Sequence, residues 1–223
     1  FRDGIWHKWH IKAARKTTDA ERAEWKARTD AARKAQDKAR SDEAAAAAIK
    51  ASEIWKAATP SGTNAYLTRK GFTAEALGCR MSRGSVVVPM WSDGKITGLQ
   101  FIDDDGGKLF LKSSAKEGAY HAIKGEGDLL VIGEGLATMG AIHASIGCSV
   151  IVAFDAGNIK PVAQVMRKKY PDKRIVIAAD GDQWTLPASK RPADWDNPPG
   201  DDPRWQEWRG AGLCVNTGAD KAA

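Results

Sequence analysis

Four carboxylates in this chain stand beside glycines or other small residues in a way that suits a hard cation. Glu134 lies in Ile132-Gly133-Glu134-Gly135, Asp155 in Asp155-Ala156-Gly157-Asn158, and Asp180 and Asp182 in Ala179-Asp180-Gly181-Asp182. Carboxylates that share a site repel one another and cannot all ionise freely without a cation between them. An open set of oxygen ligands suits magnesium, with manganese as its substitute, because magnesium keeps waters and bridges to substrate phosphates. Gly133, Gly135 and Gly181 would let the backbone come close to a bulky phosphate. A metal held there would neutralise charge on a phosphoryl group or activate an attacking oxygen.

Taken singly, each acid is ordinary: Asp-Gly-Asp is a common turn, and Glu-Gly a common loop start. Their placement is the informative part, because each follows a run that reads as a buried strand. Residues 129–132, 150–154 and 174–179 are nearly continuous apolar runs, and residues 136–146 and 160–169 between them read as helices. Buried apolar strands separated by single helices make a parallel α/β sheet covered on both faces. In such sheets ligands bind in the crevice outside the carboxyl ends of the strands. That topology brings Glu134, Asp155, Asp180 and Asp182 to one edge, although 46 residues separate Glu134 from Asp180.

Upstream, residues 85–90, 96–102 and 108–112 are β-rich runs separated by the polar turns Trp91-Ser92-Asp93-Gly94 and Asp103-Asp104-Asp105-Gly106-Gly107. They predict a small antiparallel meander. Before it comes a short helix at residues 64–69. From 11 to 58 the chain is rich in Ala, Lys, Arg, Glu and Asp without Gly or Pro, which predicts one long helix or two in tandem. Its apolar positions are mostly alanines, so it reads as a connecting helix with little to pack, ended by Thr59-Pro60-Ser61-Gly62. Residues 183–215 are dense in Trp and Pro and read as an insertion. The expected organisation is a helical segment over 1–62, a meander subdomain over 63–127 and a metal-binding α/β domain over 128–223.

The bulk properties narrow the field. Three dispersed cysteines, Cys79, Cys148 and Cys214, form neither a disulfide framework nor a zinc pattern, which fits a reducing cytoplasm. No apolar run approaches the ~20 residues that span a bilayer. Among 223 residues the formal net charge is +6, which permits nucleic-acid binding. Much of the excess lies in the N-terminal helix, where it reads as a solvated face rather than a binding arm. The start at Phe1 rather than Met suggests a piece of a longer polypeptide.

The glutamate-glycine after one strand and the Asp-x-Asp pair after another resemble the Toprim domain of DnaG-type primases, topoisomerases and some nucleases. More local words resemble phage and plasmid primases. They are Tyr66-Leu67-Thr68-Arg69-Lys70-Gly71, Val88-Pro89-Met90, Leu99-Gln100-Phe101-Ile102, Gly107-Lys108-Leu109-Phe110-Leu111-Lys112, Gly135-Leu136-Ala137-Thr138 and Ala153-Phe154-Asp155-Ala156-Gly157-Asn158. The resemblance covers residues 64–182. It departs from the family pattern after the aspartate pair, where Asn216-Thr217-Gly218 resembles an element displaced by the Trp/Pro-rich segment.

The resemblance implies a magnesium-dependent primase core that makes short RNA primers on a single-stranded DNA template from ribonucleoside triphosphates. It would serve phage or plasmid replication in a bacterial cytoplasm, with a helicase domain or protein as partner. Glu134, Asp180 and Asp182 would be the catalytic, metal-binding acids, with Asp155 a further ligand. Arg83, Lys108, Lys112 and Lys116 flank the meander and would form a basic groove for template and nucleotide. Two alternatives stay open: a Toprim nuclease using the same acids to activate water, and a non-catalytic DNA-binding module. The Tyr-Leu-Thr-Arg-Lys-Gly entry and the meander favour the primase, and the intact acids speak against the module.

Overall fold

Thr18 starts the first helix by accepting a bond from the Glu21 N–H, while the Glu21 carboxylate bonds back to the Thr18 N–H. This reciprocal cap satisfies two donors that a helix start leaves open. The computed structural model describes residues 18–179. Helix α1 (Asp19–Ala57) is a single helix of 39 residues, roughly 58 Å long at 1.5 Å per residue. Most of it is exposed, as its polar sequence dictates, but its last turns are not a bare connector. Ala47 and Ala51 are buried, and Ile54 and Trp55 pack beside them against Val87, Ile96 and Leu99. Here the alanines that had promised little packing are what allow the helix to lie close on a sheet.

That sheet is the expected meander, with one strand more. It runs β1 (Arg80–Ser82), β2 (Ser85–Ser92), β3 (Lys95–Ile102) and β4 (Lys108–Phe110), all antiparallel and in chain order. Asp93 and Gly94 both have positive φ (46° and 75°), the conformation of the tight turns that match strand twist. Pro89 is tolerated in β2 because β1 pairs only with Ser85–Val87, which leaves Pro89 on an open edge. Between α1 and β1 lie α2 (Ala65–Lys70), capped by Asn64, and a single 3₁₀ turn over Glu75–Leu77.

The second sheet has the order β5-β7-β6-β8, from β5 (His121–Ile123), β6 (Glu126–Gly133), β7 (Cys148–Val152) and β8 (Arg174–Ala178). Strands β6, β7 and β8 are parallel, and β5 is antiparallel on the edge beside β7. The sheet is therefore mixed, and three residues were too few for a β5 signal to show in the sequence. Strand β5 also precedes residue 128 and still belongs to this sheet. Helix α3 (Leu136–Ile146) and helix α4 (Ala156–Lys169) connect the parallel strands.

The strands alternate between two cores, as period-2 side chains must. Val131, Val150 and Val152 face α3, together with meander residues Val86, Val88, Met90 and Ile102. Leu130, Ile132 and Ile151 face Ile159, Val162 and Met166 of α4. The meander thus lies against the α3 side, with α1 on its own far side. Trp91 and Tyr120 tie the two sheets by a pair of backbone bonds of 2.7 and 3.0 Å.

A buried His121 sits at this junction. One ring nitrogen, Nε2, donates to the Leu77 carbonyl at 2.7 Å and lies 3.9 Å from the Cys79 sulfur. Its Nδ1 has no hydrogen-bond partner among the described residues. Burial holds the His121 pKa down at about 4 and pushes the Cys79 thiol up. No described helix is long and apolar enough to cross a membrane.

Candidate active site at the carboxyl edge of the sheet

Glu134 is the first residue beyond β6, half-buried at the carboxyl edge. It leaves the sheet beside Gly133, whose position tolerates no side chain. An added Cβ would come within 2.4 Å of Met139 Cε and 2.9 Å of the Ala178 carbonyl oxygen. Gly133 is thus what lets α3 and β8 close on the strand that carries the glutamate. The Glu134 carbonyl accepts from the Phe154 N–H at 3.1 Å, which ties this edge to the end of β7.

The register sets the ends of the neighbouring strands. Gly133 pairs with Val152 of β7 on one side and Ala178 of β8 on the other. Asp155 follows Val152 by three residues, and Asp180 follows Ala178 by two. Asp180 and Asp182 lie outside the described residues. Among the described residues no three His, Cys, Asp or Glu side chains form a metal-holding group.

Asp155 is engaged in other contacts. Its Oδ1 accepts from the Asn158 N–H at 3.0 Å, capping α4, and its Oδ2 pairs with the Lys116 ammonium. The cap explains why α4 starts at Ala156 and not at residue 160, where Gly157 and Pro161 had masked its first turns. Phe154 makes the turn into it with a φ of 74°, a conformation costly for a bulky residue and characteristic of functional sites. This strained corner gives no signal in the sequence, since nothing about a Phe before an Asp announces a positive φ.

Asn158 was missed as a site residue. It is buried and fully used: it accepts from the Gly118 N–H at 2.8 Å and donates to the Ala119 and Ala153 carbonyls, each at 2.9 Å. It thereby fixes the loop carrying Lys116 onto the start of α4. Lys116 also lies 5.4 Å from the centre of the Phe110 ring. With Arg40, Glu43 and Ser113 it lines a cavity of about 810 Å³ at this corner.

The four basic residues singled out from the sequence do not gather in one place. Lys116 is beside Asp155. Lys108 lines a separate cleft of about 420 Å³ next to Gly135, together with Tyr66, Arg69, Lys70 and Thr138. Arg83 occupies the β1–β2 turn with a φ of 50°, and Lys112 is exposed just after β4. Arg69 and Lys70 are therefore cleft residues that charge alone did not pick out, although they stand inside the Tyr66–Gly71 word. Gly135 precedes α3 without a side-chain cap, and the first turn of that helix, with Ala137 and Thr138, lines the cleft. A helix start flanked by Arg69, Lys70 and Lys108, one residue from Glu134, suits a polyphosphate.

Residues 128–184 match the Toprim domain family. Two curated proteins, both DNA primase TraC of Escherichia coli, are 39% and 37% identical over 125 residues, or 53% of this chain. The aligned part spans only 12% and 9% of those relatives' lengths, so the chain corresponds to a small part of each. No solved structure matches the chain. Glu134, at the end of strand β6, thus lies within the residues that match the Toprim domain family, in a chain of which 53% is similar to a part of DNA primases.

Proposed function

We propose that this chain is the catalytic core of a DNA primase that joins ribonucleotides on a single-stranded DNA template with the help of a divalent metal, magnesium by preference. The observation that carries the reading is the register Val152-Gly133-Ala178, which sets the chain leading to Asp180 beside Glu134 at one edge. Glu134, Asp180 and Asp182 are the proposed metal-holding and catalytic acids. All are hard oxygen donors, and Glu134 stands half-buried at the carboxyl edge of the sheet. A divalent cation bound there supplies charge neutralisation on a transferring phosphoryl group. Asp155 joins that set only by giving up Lys116; otherwise it holds Lys116 at the neighbouring cavity.

The chain's own residues would do the rest. Lys108, Arg69, Lys70 and the start of α3 bind and orient the triphosphate, while Lys116, Lys112 and Arg83 contact template phosphates away from it. The division into a helical lead-in (1–62), a meander unit (63–127) and a Toprim unit (128–223) belongs to the same reading, with β5 as a strand lent across the boundary. So do a helicase partner, a phage or plasmid replicon and a bacterial cytoplasm.

Primer synthesis from labelled ribonucleotides on single-stranded DNA, with magnesium or manganese, tests the reading. Short labelled RNA from the parent chain, absent with Glu134→Gln and Asp180→Asn, is the expected result. Template cleavage with the same mutant sensitivity would replace the primase by a nuclease using the same acids.

A further inference from the structure

Along the edge strand β5, on the α4 side of the same sheet and opening at its amino edge, lies a cleft of about 640 Å³ that the catalytic reading does not use. Its floor is the Trp91–Tyr120 bridge between the sheets, with Ile123, Leu130 and Ile151. Its rim carries Lys124, Lys169, Lys173 and Tyr170. No acidic side chain lines it. Asp93, Glu126, Asp128 and Asp172, the nearest acids in sequence, are exposed but not among the lining residues.

Two of the three lysines, Lys169 and Lys173, are held in place, and not by carboxylates. Lys169 Nζ donates to the Tyr120 hydroxyl at 3.0 Å and lies 5.6 and 5.5 Å from the centres of the Tyr120 and Tyr170 rings. That hydroxyl, more than any other group, holds the Lys169 ammonium above its usual pKa, so it is charged throughout the physiological range. Lys173 donates to the Gly127 carbonyl at 2.9 Å and sits 5.9 Å from the Tyr170 ring centre. The backbone at Lys124 is set by the turn that follows it, while its side chain is exposed. Gly125 packs so tightly that an added Cβ would fall 2.2 Å from the Gly147 oxygen, and its N–H donates to Ser149 Oγ at 3.1 Å. Among the described residues none of the three lysines has an ion-pair partner. Tyr170 keeps 36% of its surface exposed and Trp91 is half-buried, so both rings are within reach of a ligand.

Cations without counter-charges, set around aromatic faces, match a ligand that alternates anionic and flat apolar groups. Single-stranded nucleic acid has that composition, with phosphates for the lysines and bases for the rings. We propose that this cleft is a second, non-catalytic contact for single-stranded nucleic acid. It would hold one nucleotide unit with its base against Tyr170 and Trp91 and its flanking phosphates on Lys124, Lys169 and Lys173. Five residues of β8 separate its Lys173 rim from the catalytic edge, about 17 Å at strand rise, so one strand can occupy both. The proposal does not depend on primer synthesis.

The test is the affinity of the full chain for a fluorescein-labelled oligo(dT), read by anisotropy in EDTA so that metal binding plays no part. Tyr170→Leu should weaken binding about 5- to 100-fold, the range for loss of one stacked base. The double variant Lys124→Ala/Lys173→Ala should weaken it at least about tenfold. It should also reduce the slope of log K against log salt by roughly 1.4, for two single-strand phosphates. Nucleotide incorporation is read in a separate assay, so failure of the catalytic reading would be seen separately. Unaltered affinity and slope in both cleft variants would overturn the proposal, as would absence of oligo(dT) binding by the parent chain at low salt. Full displacement of the oligonucleotide by millimolar ATP from the parent chain would reassign the cleft to a free nucleotide of the same chemistry.

Discussion

The two ends of the β6-β7-β8 strands carry opposite chemistry on one scaffold. The carboxyl edge presents Glu134 and Asp155, with the chain running on toward Asp180, and it is shaped by a strained Phe154 and a glycine with no room for a side chain. The amino edge presents three lysines over aromatic rings and no lining acid. Parallel topology is what separates them, since every strand enters at one edge and leaves at the other. On the proposed reading the carboxyl edge serves phosphoryl chemistry and the amino edge holds a strand. The first depends on placing groups to a fraction of an ångström, the second only on charge and flat surface.

The comparison is most severely tested at Glu134. Glu134→Gln should reduce metal-dependent nucleotide incorporation at least about a hundredfold, nearly 3 kcal/mol of transition-state stabilisation, while strand affinity at the amino edge is kept. Incorporation assays beside anisotropy would show this split. Equal loss in both would mean that the edges are not independent.

The next effect reaches both edges at once, through the junction between the sheets. His121 has its pKa lowered by burial to about 4 from an ordinary 6.5. The unfolded chain therefore binds a proton between those values that the folded chain refuses, so stability rises with pH across that window. The contribution is fully present above pH 6.5 and is lost as pH falls toward 4, by up to about 3 kcal/mol if His121 acted alone. Urea melts at pH 7 and pH 4.5 should show this fall. His121→Gln should flatten it, whereas a slope unchanged by that substitution would remove His121 as its cause.

How much of this was legible follows a physical divide. The strands carrying Glu134 and Asp180, and helix α3 between residues 136 and 146, were readable because buried parallel strands are continuous apolar runs with helices between them. The meander was readable from its turns, Asp93-Gly94 above all. Strand β5 was hidden by its length, and the start of α4 by Gly157 and Pro161, because the cap that decides it is a contact between side chain and backbone. The Lys116–Asp155 pair joins residues 39 apart through a loop that has no period at all. The amino-edge cleft was out of reach for the same reason: Trp91, Lys124 and Tyr170 meet only because the two sheets dock.

Asn158 shows what holds the carboxyl edge in shape. Asn158→Ala leaves two buried carbonyls and one N–H without their partner, which should destabilise the fold by about 2 kcal/mol. The larger consequence is local: the loop bearing Lys116 loses its tether while the amino edge keeps its lysines. Oligo(dT) affinity in EDTA should therefore stay near the parent value while incorporation falls. A parallel fall in both would place Asn158 in the core of the whole domain rather than at one edge.

Lys116→Ala is the smallest change and the most discriminating. Its ion pair with Asp155 is half-exposed, with side chains 41% and 37% accessible, so solvent screening keeps its share of stability below about 1 kcal/mol. Chemical denaturation should hardly register the substitution. Activity is another matter, because removing the ammonium releases the Asp155 carboxylate beside Glu134. If Asp155 is a metal ligand held in reserve by Lys116, the variant should need less magnesium for half-maximal incorporation. If Lys116 instead contacts phosphate, the variant should need the same magnesium and more nucleotide or template. The direction of the magnesium titration therefore decides whether three or four acids make up the carboxyl edge.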